Sequence, residues 1–323
     1  MPPEFTVTEQ FRPELLAHCY RLLGSIHDAE DLVQETYLRA WRGFDRFEGR
    51  SSVRRWLYKI ATTACLTALE TRSRRPLPSG LGAPSSDHQI TLAAREPAVP
   101  WLQPAPFDPD TFASVRLAFV AALQYLPARQ RAVLTLRDVL AFSTAEVAEI
   151  LDTTVAAVDS ALRRARTRLA EAGPVEEDLA EPSATAQQTL LNNYVDAFTR
   201  ADPGALITLL RADVELEMPP TPTWFTGRTA VLGFLTTHVL RPTLWHLTAT
   251  YANAQPALIV GKHTDAGLTP YGIQVLTLVG PHIARITAFN DPALVPAFAG
   301  QPTGSGRRGG NVALSRDRDP GSD

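Results

Sequence analysis

Between Phe44 and Ala61 the chain interleaves rings with cations: Phe44, Arg46, Phe47, Arg50, Arg54, Arg55, Trp56, Tyr58 and Lys59. That combination suits one physical task, which is to draw a base out of its stack onto a ring while arginines hold the neighbouring phosphates. Trp56 also has a structural reading, because Leu57 and Ile60 beside it are apolar and tryptophan is usually well buried. A second concentration lies further on, where Thr153, Thr154, Ala157, Asp159 and Ser160 precede Arg163, Arg164 and Arg166. Small polar groups followed by arginines fit base edges followed by phosphates. The bland alternative is a helical hairpin with a solvated basic face.

Helices must position both sets. Leu15, Leu16, Cys19, Leu22 and Leu23 recur at three- and four-residue spacing, as do Leu32, Thr36, Ala40 and Phe44 and later Trp56, Ile60, Ala64 and Leu69. Three or four helices are predicted up to Arg75. Residues 76–109 hold eight prolines among Gly, Ser and Ala and read as a linker with a docking patch at Trp101-Leu102. Helical spacing returns from Phe112 to Leu169. There Ser143 and Glu146 fit a capping box that opens a short helix, and Asp152-Thr153-Thr154 turns into a second. Two helices joined so tightly, with arginines on the second, have the form of a helix-turn-helix.

At 323 residues the chain exceeds one ordinary domain. Its composition, 45% hydrophobic and 20% charged, is that of a soluble globular protein. Cys19 and Cys65 lack metal-ligand or redox spacing, which excludes zinc ribbons and disulfide frameworks and points to a reducing, cytoplasmic compartment. No apolar run is long enough for a membrane span and the first residues lack a signal-peptide pattern. The net charge of -3 conceals alternating blocks: acids at Asp28, Glu30, Asp31 and Glu35, bases from Arg50 to Arg75 and again from Arg163 to Arg168. Separate surfaces for different partners follow from that alternation.

The run from Asp28 to Trp41, then Trp56-Leu57-Tyr58-Lys59-Ile60-Ala61-Thr62, then Leu126-Pro127-Ala128-Arg129-Gln130-Arg131 ahead of the helix-turn-helix, resembles the extracytoplasmic-function (ECF) sigma factors. The resemblance implies sigma domain 2 over 1–75, the Pro-rich linker over 76–111 and sigma domain 4 over 112–171. It implies that Asp28, Asp31, Leu32, Gln34 and Glu35 dock on the largest subunit of RNA polymerase core, with the second-largest subunit also contacted. It implies that the loop from Phe44 to Ser52 captures a flipped base of the minus-ten element. Trp56 and Tyr58 would then lie in the promoter-melting segment. The helix carrying Thr63, Thr67, Arg72, Arg74 and Arg75 would read upstream minus-ten bases. The helix-turn-helix would read the minus-thirty-five element. Thr63 and Thr67 stand where the family often has Asn and Asp.

Sigma factors of this compact type end soon after that motif, whereas here an acidic linker (172–183) leads to a further domain (184–299) and a polar tail (300–323). A helix from Ala184 to Arg200 precedes runs rich in Val, Leu, Ile and Thr at 214–218, 244–251, 257–261, 272–279 and 282–289, separated by turn signals. An α+β domain is predicted. Its order, with Trp224-Phe225-Thr226-Gly227-Arg228, resembles a SnoaL-like cone. The whole is therefore expected to be multidomain: two all-α sigma domains followed by an α+β SnoaL-like domain. Asp213, Trp224, Arg228, His246 and His263 are the expected pocket residues. Three roles compete for the domain: an enzyme using Asp213, His246 or His263 as base, a sensor of a small-molecule ligand, and a packing module. The histidines at 238, 246, 263 and 282 lack metal-ligand spacing, so no metal and no cofactor is expected. The expected function is promoter-directed initiation with RNA polymerase and promoter DNA as partners, no membrane and no covalent chemistry. The alternative is a helix-turn-helix regulator carrying a ligand-binding or enzymatic SnoaL-like domain.

Overall fold

The computed structural model describes residues 8–47, 49, 52–90, 92, 98–109, 115–171 and 182–299. Arg50, most of the acidic linker and the polar tail lie outside the described residues.

Three helices form the first block: α1 (Arg12–Leu23), α2 (Ile26–Gly43) and α3 (Val53–Leu69). Gly24 ends α1 at φ +67°, and a Cβ there would stand 2.9 Å from Leu102, so the glycine permits both the left-handed turn and the approach of the linker. Ser25 then caps α2 by accepting from Asp28 N. Apolar residues at helical spacing on the three helices, with Leu15, Leu22, Val33, Leu57 and Ala61 fully buried, make the core of this block.

The second block holds α4 (Leu117–Leu123), α5 (Ala128–Leu134), α6 (Thr144–Ile150) and α7 (Val155–Glu171). It is not a separate body. Arg131 on α5 is buried, donates to the carbonyls of Leu22, Gln124 and Leu126 and to the amide oxygen of Gln124, and so ties α5 to the end of α1. One apolar cluster runs through both helical blocks, includes Leu102, Ala105 and Phe107 of the linker, and reaches Ala252, Ala254 and Phe289 of the third domain. The linker is therefore packed, with Trp101 and Leu102 buried.

The third domain opens with α8 (Ala184–Thr199) and α9 (Pro203–Leu209), then β1 (Leu210–Glu217), β2 (Trp224–Thr226), α10 (Arg228–Phe234), β3 (Trp245–Ala252), β4 (Gln255–Thr264), β5 (Gly267–Val279) and β6 (His282–Phe289). The six strands run in the order β2-β1-β6-β5-β4-β3, antiparallel except for the β1/β6 pair. Its helices and sheet enclose a second apolar core around Tyr194, Phe198, Phe225, Phe234 and Leu276. Helical blocks followed by an α+β cone is the architecture that the sequence implies.

Candidate nucleic-acid interface

α3 carries most of the N-terminal rings and cations, and its helical period divides them. Ser52 caps its start by accepting from Arg55 N. One face packs on α1, where Tyr58 is fully buried and donates to Glu14 Oε2 at 3.0 Å. Arg54 donates to the same carboxylate oxygen at 2.8 and 3.0 Å and lies over the rings of Tyr58 and Phe142. Arg54 and Tyr58, expected at DNA, are thus engaged inside the protein, because positions four apart share the face that α1 covers. On that same face His18 Nε2 meets Thr62 Oγ1 at 2.9 Å. Burial, reinforced by the charges of Arg21 and Arg54, pushes the His18 imidazole down to about 3.

The outer side of α3 faces α6. Arg55 pairs with Glu149 at 3.3 Å and Glu146 at 3.9 Å, and Lys59 with Asp152 at 2.7 Å. Phe142 sets its ring against Tyr58 edge-on, with centroids 5.2 Å apart. Basic groups expected to meet phosphates instead meet acids of the helix-turn-helix. Thr63 and Thr67 remain exposed. Trp56 is half-buried in a ring cluster, 4.9 Å from Phe47 and 6.3 Å from Phe44 between centroids. The side chain of Arg46, like the whole of Arg50, lies outside the described residues.

Beyond α3 the arginines turn inward as well. Arg72 and Arg75 both hold Asp28, at 2.5 and 2.7 Å, and Arg75 also donates to Trp101 O. Arg74 lies over Tyr125 and donates to Gly80 O. Asp28 is therefore an internal counter-charge for two of the expected DNA contacts. Asp31 and Gln34 stay exposed, Leu32 is half-buried and Glu35 pairs with Arg39. Leu38 and Trp41, 47% and 52% exposed on α2 beside these polar groups, are surface residues that the sequence reading passed over. Their signal was there: large apolar side chains four and seven positions beyond Gln34.

α6 and α7 form the helix-turn-helix. The capping box of Ser143 and Glu146 is present, and Thr154 Oγ1 accepts from Ala157 N at the start of α7. Val158, Leu162 and Ala165 are buried, which leaves Thr154, Ala157, Asp159, Arg163 and Arg164 exposed, with Thr153 and Ser160 half-exposed. Arg164 donates to Ser160 Oγ, and Arg166 makes a two-pronged pair with Asp138 at 2.7 and 2.9 Å.

What joins these parts is the β3–β4 turn. Asn253 and Ala254 both take positive φ there, a conformation that asparagine tolerates. Asn253 Nδ2 donates to Tyr20 Oη at 2.8 Å and Val115 O at 2.7 Å, and Asn253 Oδ1 accepts from Ala105 N. Tyr20 donates in turn to Gln103 O. Gln255 Oε1 accepts from Leu117 N at the start of α4. One turn of the third domain thus bonds to the first helical block, the linker and the second block. In the sequence Asn253 is a turn signal between two strands, and nothing there marks it as a contact with the helical blocks.

The five expected pocket residues do not meet in the cone. Asp213 is exposed and held by Arg211, because alternation along β1 aims it away from buried Val214 and Leu216. His246 projects outward between buried Trp245 and Leu247, and His263 lies on the exposed end of β4. Trp224 Nε1 donates to Gly82 O, and Arg228 donates to Leu210 O. The cone is lined by others, among them Tyr194, Phe198, Phe234 and Gln274.

Among the described residues no His, Cys, Asp and Glu group could hold a metal ion, and no helix is long and apolar enough to cross a membrane. Family models for Sigma-70 region 2 and Sigma-70, region 4 match residues 7–75 and 116–169. The ECF RNA polymerase sigma factor SigG of Mycobacterium tuberculosis is 45% identical over 304 residues, which span 90% of this chain and 82% of that protein. SigW of Bacillus subtilis is 27% identical over 50% of this chain and 84% of its own. The crystal structure of the Mycobacterium tuberculosis ECF sigma factor SigJ superposes with a TM-score of 0.62 at 22% identity, covering 91% of this chain and 99% of that one. That likeness extends over the helical blocks and the α+β domain together.

Proposed function

This chain belongs to the ECF sigma factors of RNA polymerase, and from that premise we propose that it is an alternative sigma factor held closed by its own C-terminal domain. It directs core polymerase to promoters. α7 reads the minus-thirty-five element through Thr153, Thr154, Ala157, Asp159 and Ser160, with Arg163 and Arg164 on phosphates. Thr63 and Thr67 of α3, with the Trp56 ring cluster, take the minus-ten element. Asp31, Gln34, Glu35, Leu38 and Trp41 dock on the largest polymerase subunit, and the linker contacts the second-largest. The protein works in the cytoplasm, beside polymerase, and performs no covalent chemistry.

One observation carries the closed reading: the Asn253 turn bonds at once to Tyr20, Ala105 and Val115. While it does so, α6 stays against α3 and the basic face of α3 is occupied. Activation must therefore separate the linker from the C-terminal domain, and the domain is a regulator rather than an enzyme.

Run-off transcription with core polymerase on genomic promoter fragments tests both parts. New specific transcripts with the chain, and more of them after truncation at residue 183 or with Asn253→Ala, are expected. No transcripts and no core binding from any form would sink the sigma reading. Transcription that neither change alters would sink the closed reading alone.

A further inference from the structure

The cone encloses a cavity of about 150 Å³. Apolar cavities of this size admit a molecule as large as benzene. Its walls are mainly rings and aliphatic groups, including Phe198, Leu216, Phe234 and Trp245, and neither a carboxylate, a lysine nor an arginine lines it. A charged guest would lose its hydration with no possible counter-charge in the lining beyond the His238 imidazole, whose ring packs 5.0 Å from that of Phe234, so the lining favours a neutral guest. Two buried polar groups set its orientation. Tyr194 Oη donates to Gln274 Oε1 at 3.2 Å, and both side chains line the cavity. Burial pushes the Tyr194 phenol up, so it remains a neutral donor and acceptor. A carbonyl or hydroxyl oxygen on the guest accepts from the Gln274 amide.

One wall is supplied from elsewhere in the chain. Leu92, in the linker between the two helical blocks, lines the cavity and packs on the core of the cone. The linker reaches it along four successive attachments. Ser79 N donates to Glu217 Oε1 at 2.9 Å, and Gly82 O accepts from Trp224 Nε1 at 2.8 Å. Ser85 N donates to Trp224 O at 2.8 Å, and His88 lies over Gly233, where a Cβ would come within 2.7 Å of the ring.

We propose that this cavity binds an uncharged single-ring molecule carrying one hydroxyl or carbonyl, and that Leu92 makes its occupancy hold the linker on the C-terminal domain. A guest beneath Leu92 gains that contact only while the linker is docked, so docking tightens the guest and the guest tightens docking by the same factor. The consequence for transcription, a closed form that opens when the guest is scarce, rests on the sigma reading. The binding step does not.

Titration calorimetry on the full chain with phenol, cyclohexanone and benzoate tests it. Phenol and cyclohexanone bind one per chain, and benzoate binds at least about tenfold more weakly. Gln274→Leu, close to isosteric, weakens phenol about tenfold, one lost hydrogen bond to a buried amide. Leu92→Ala weakens phenol about fivefold, and saturating phenol slows hydrogen exchange of the amides at 79–92 in the native chain by a like factor. No binding of either neutral probe up to its solubility, or benzoate binding as well as phenol, overturns the site. Phenol binding that Leu92→Ala leaves unchanged, with no slowing at 79–92, overturns the coupling. Neither result depends on polymerase, so failure here is separate from failure of the run-off assay.

Discussion

α3 and α7 are helices of equal length, 17 residues each, and both present arginines to a surface, yet they stand in opposite conditions. α7 buries one narrow stripe and leaves Arg163 and Arg164 exposed. α3 is covered on one side by α1 and met on another by α6, so Arg54, Arg55 and Lys59 all have acidic partners. One reader is open and the other is conditional. The difference is a matter of neighbours, since both helices are net basic, +3 for α3 and +2 for α7, and those neighbours are kept in place by a turn nearly two hundred residues away from α3.

That turn is where the comparison breaks most forcefully. Asn253→Ala removes three buried hydrogen bonds, leaves Ala105 N and Val115 O unmet and takes a donor from Tyr20 Oη, at a cost of about 3 kcal/mol. Urea unfolding should register that loss. Hydrogen exchange should quicken at α3 and in the linker while α7 keeps its wild-type rates; uniform quickening of both helices would mean that the turn stabilises without holding the closed form.

A pH series separates the two helices by their roots. His18 supports α3 through Thr62, and its folded pKa of about 3 lies below the ordinary 6.5 of an unfolded histidine. The unfolded chain therefore binds the extra proton, and this contribution is present above 6.5 and is lost as pH falls from 6.5 towards 3. The slope approaches about 1.4 kcal/mol per pH unit in the middle of that window. His18→Gln keeps a partner for Thr62 and should flatten the curve. An unchanged slope would remove His18 as the cause.

The sequence disclosed more of the fold than of the interface. Periodicity placed the helices around Leu15, Leu22, Leu57 and Leu162, and the change to runs such as 272–279 announced the sheet, because burial of one face imposes those repeats locally. The Ser143-Glu146 cap was legible for the same reason. What a charged side chain points at is set by distant chain. Arg72, Arg75 and Asp28 look like two functional surfaces in sequence and are one ion-paired cluster in space. The Pro-rich linker reads as a linker with a docking patch at Trp101-Leu102, and both residues are buried, since prolines bar regular elements without barring packing. Asp213 and His246 suited acid-base chemistry by type, and strand alternation turns both outward.

Reversing the acids that face α3 sharpens the contrast without touching the core. Glu149→Lys with Asp152→Lys replaces two exposed pairs by repulsion against Arg55 and Lys59. Exposed pairs are each worth about 0–1 kcal/mol, so single-stranded minus-ten DNA should bind about fivefold more tightly by fluorescence anisotropy. Duplex binding through α7 gives the internal control; if it rises equally, the added positive charge acts through the general field rather than by freeing α3.

The smallest effect belongs to the open helix. Arg163 is exposed on α7 and pairs with no acid among the described residues, so its guanidinium is free to meet a phosphate. Removing one phosphate contact lowers the magnitude of the slope of log K against log salt by about 1 and weakens binding evenly across sequences. Arg163→Ala should do so on a minus-thirty-five duplex whether or not Asn253 is intact, because Arg163 lies on the exposed side of α7. A salt slope that Arg163→Ala changes only in the Asn253→Ala background would show that α7 too is conditional, and the contrast between the two helices would then vanish.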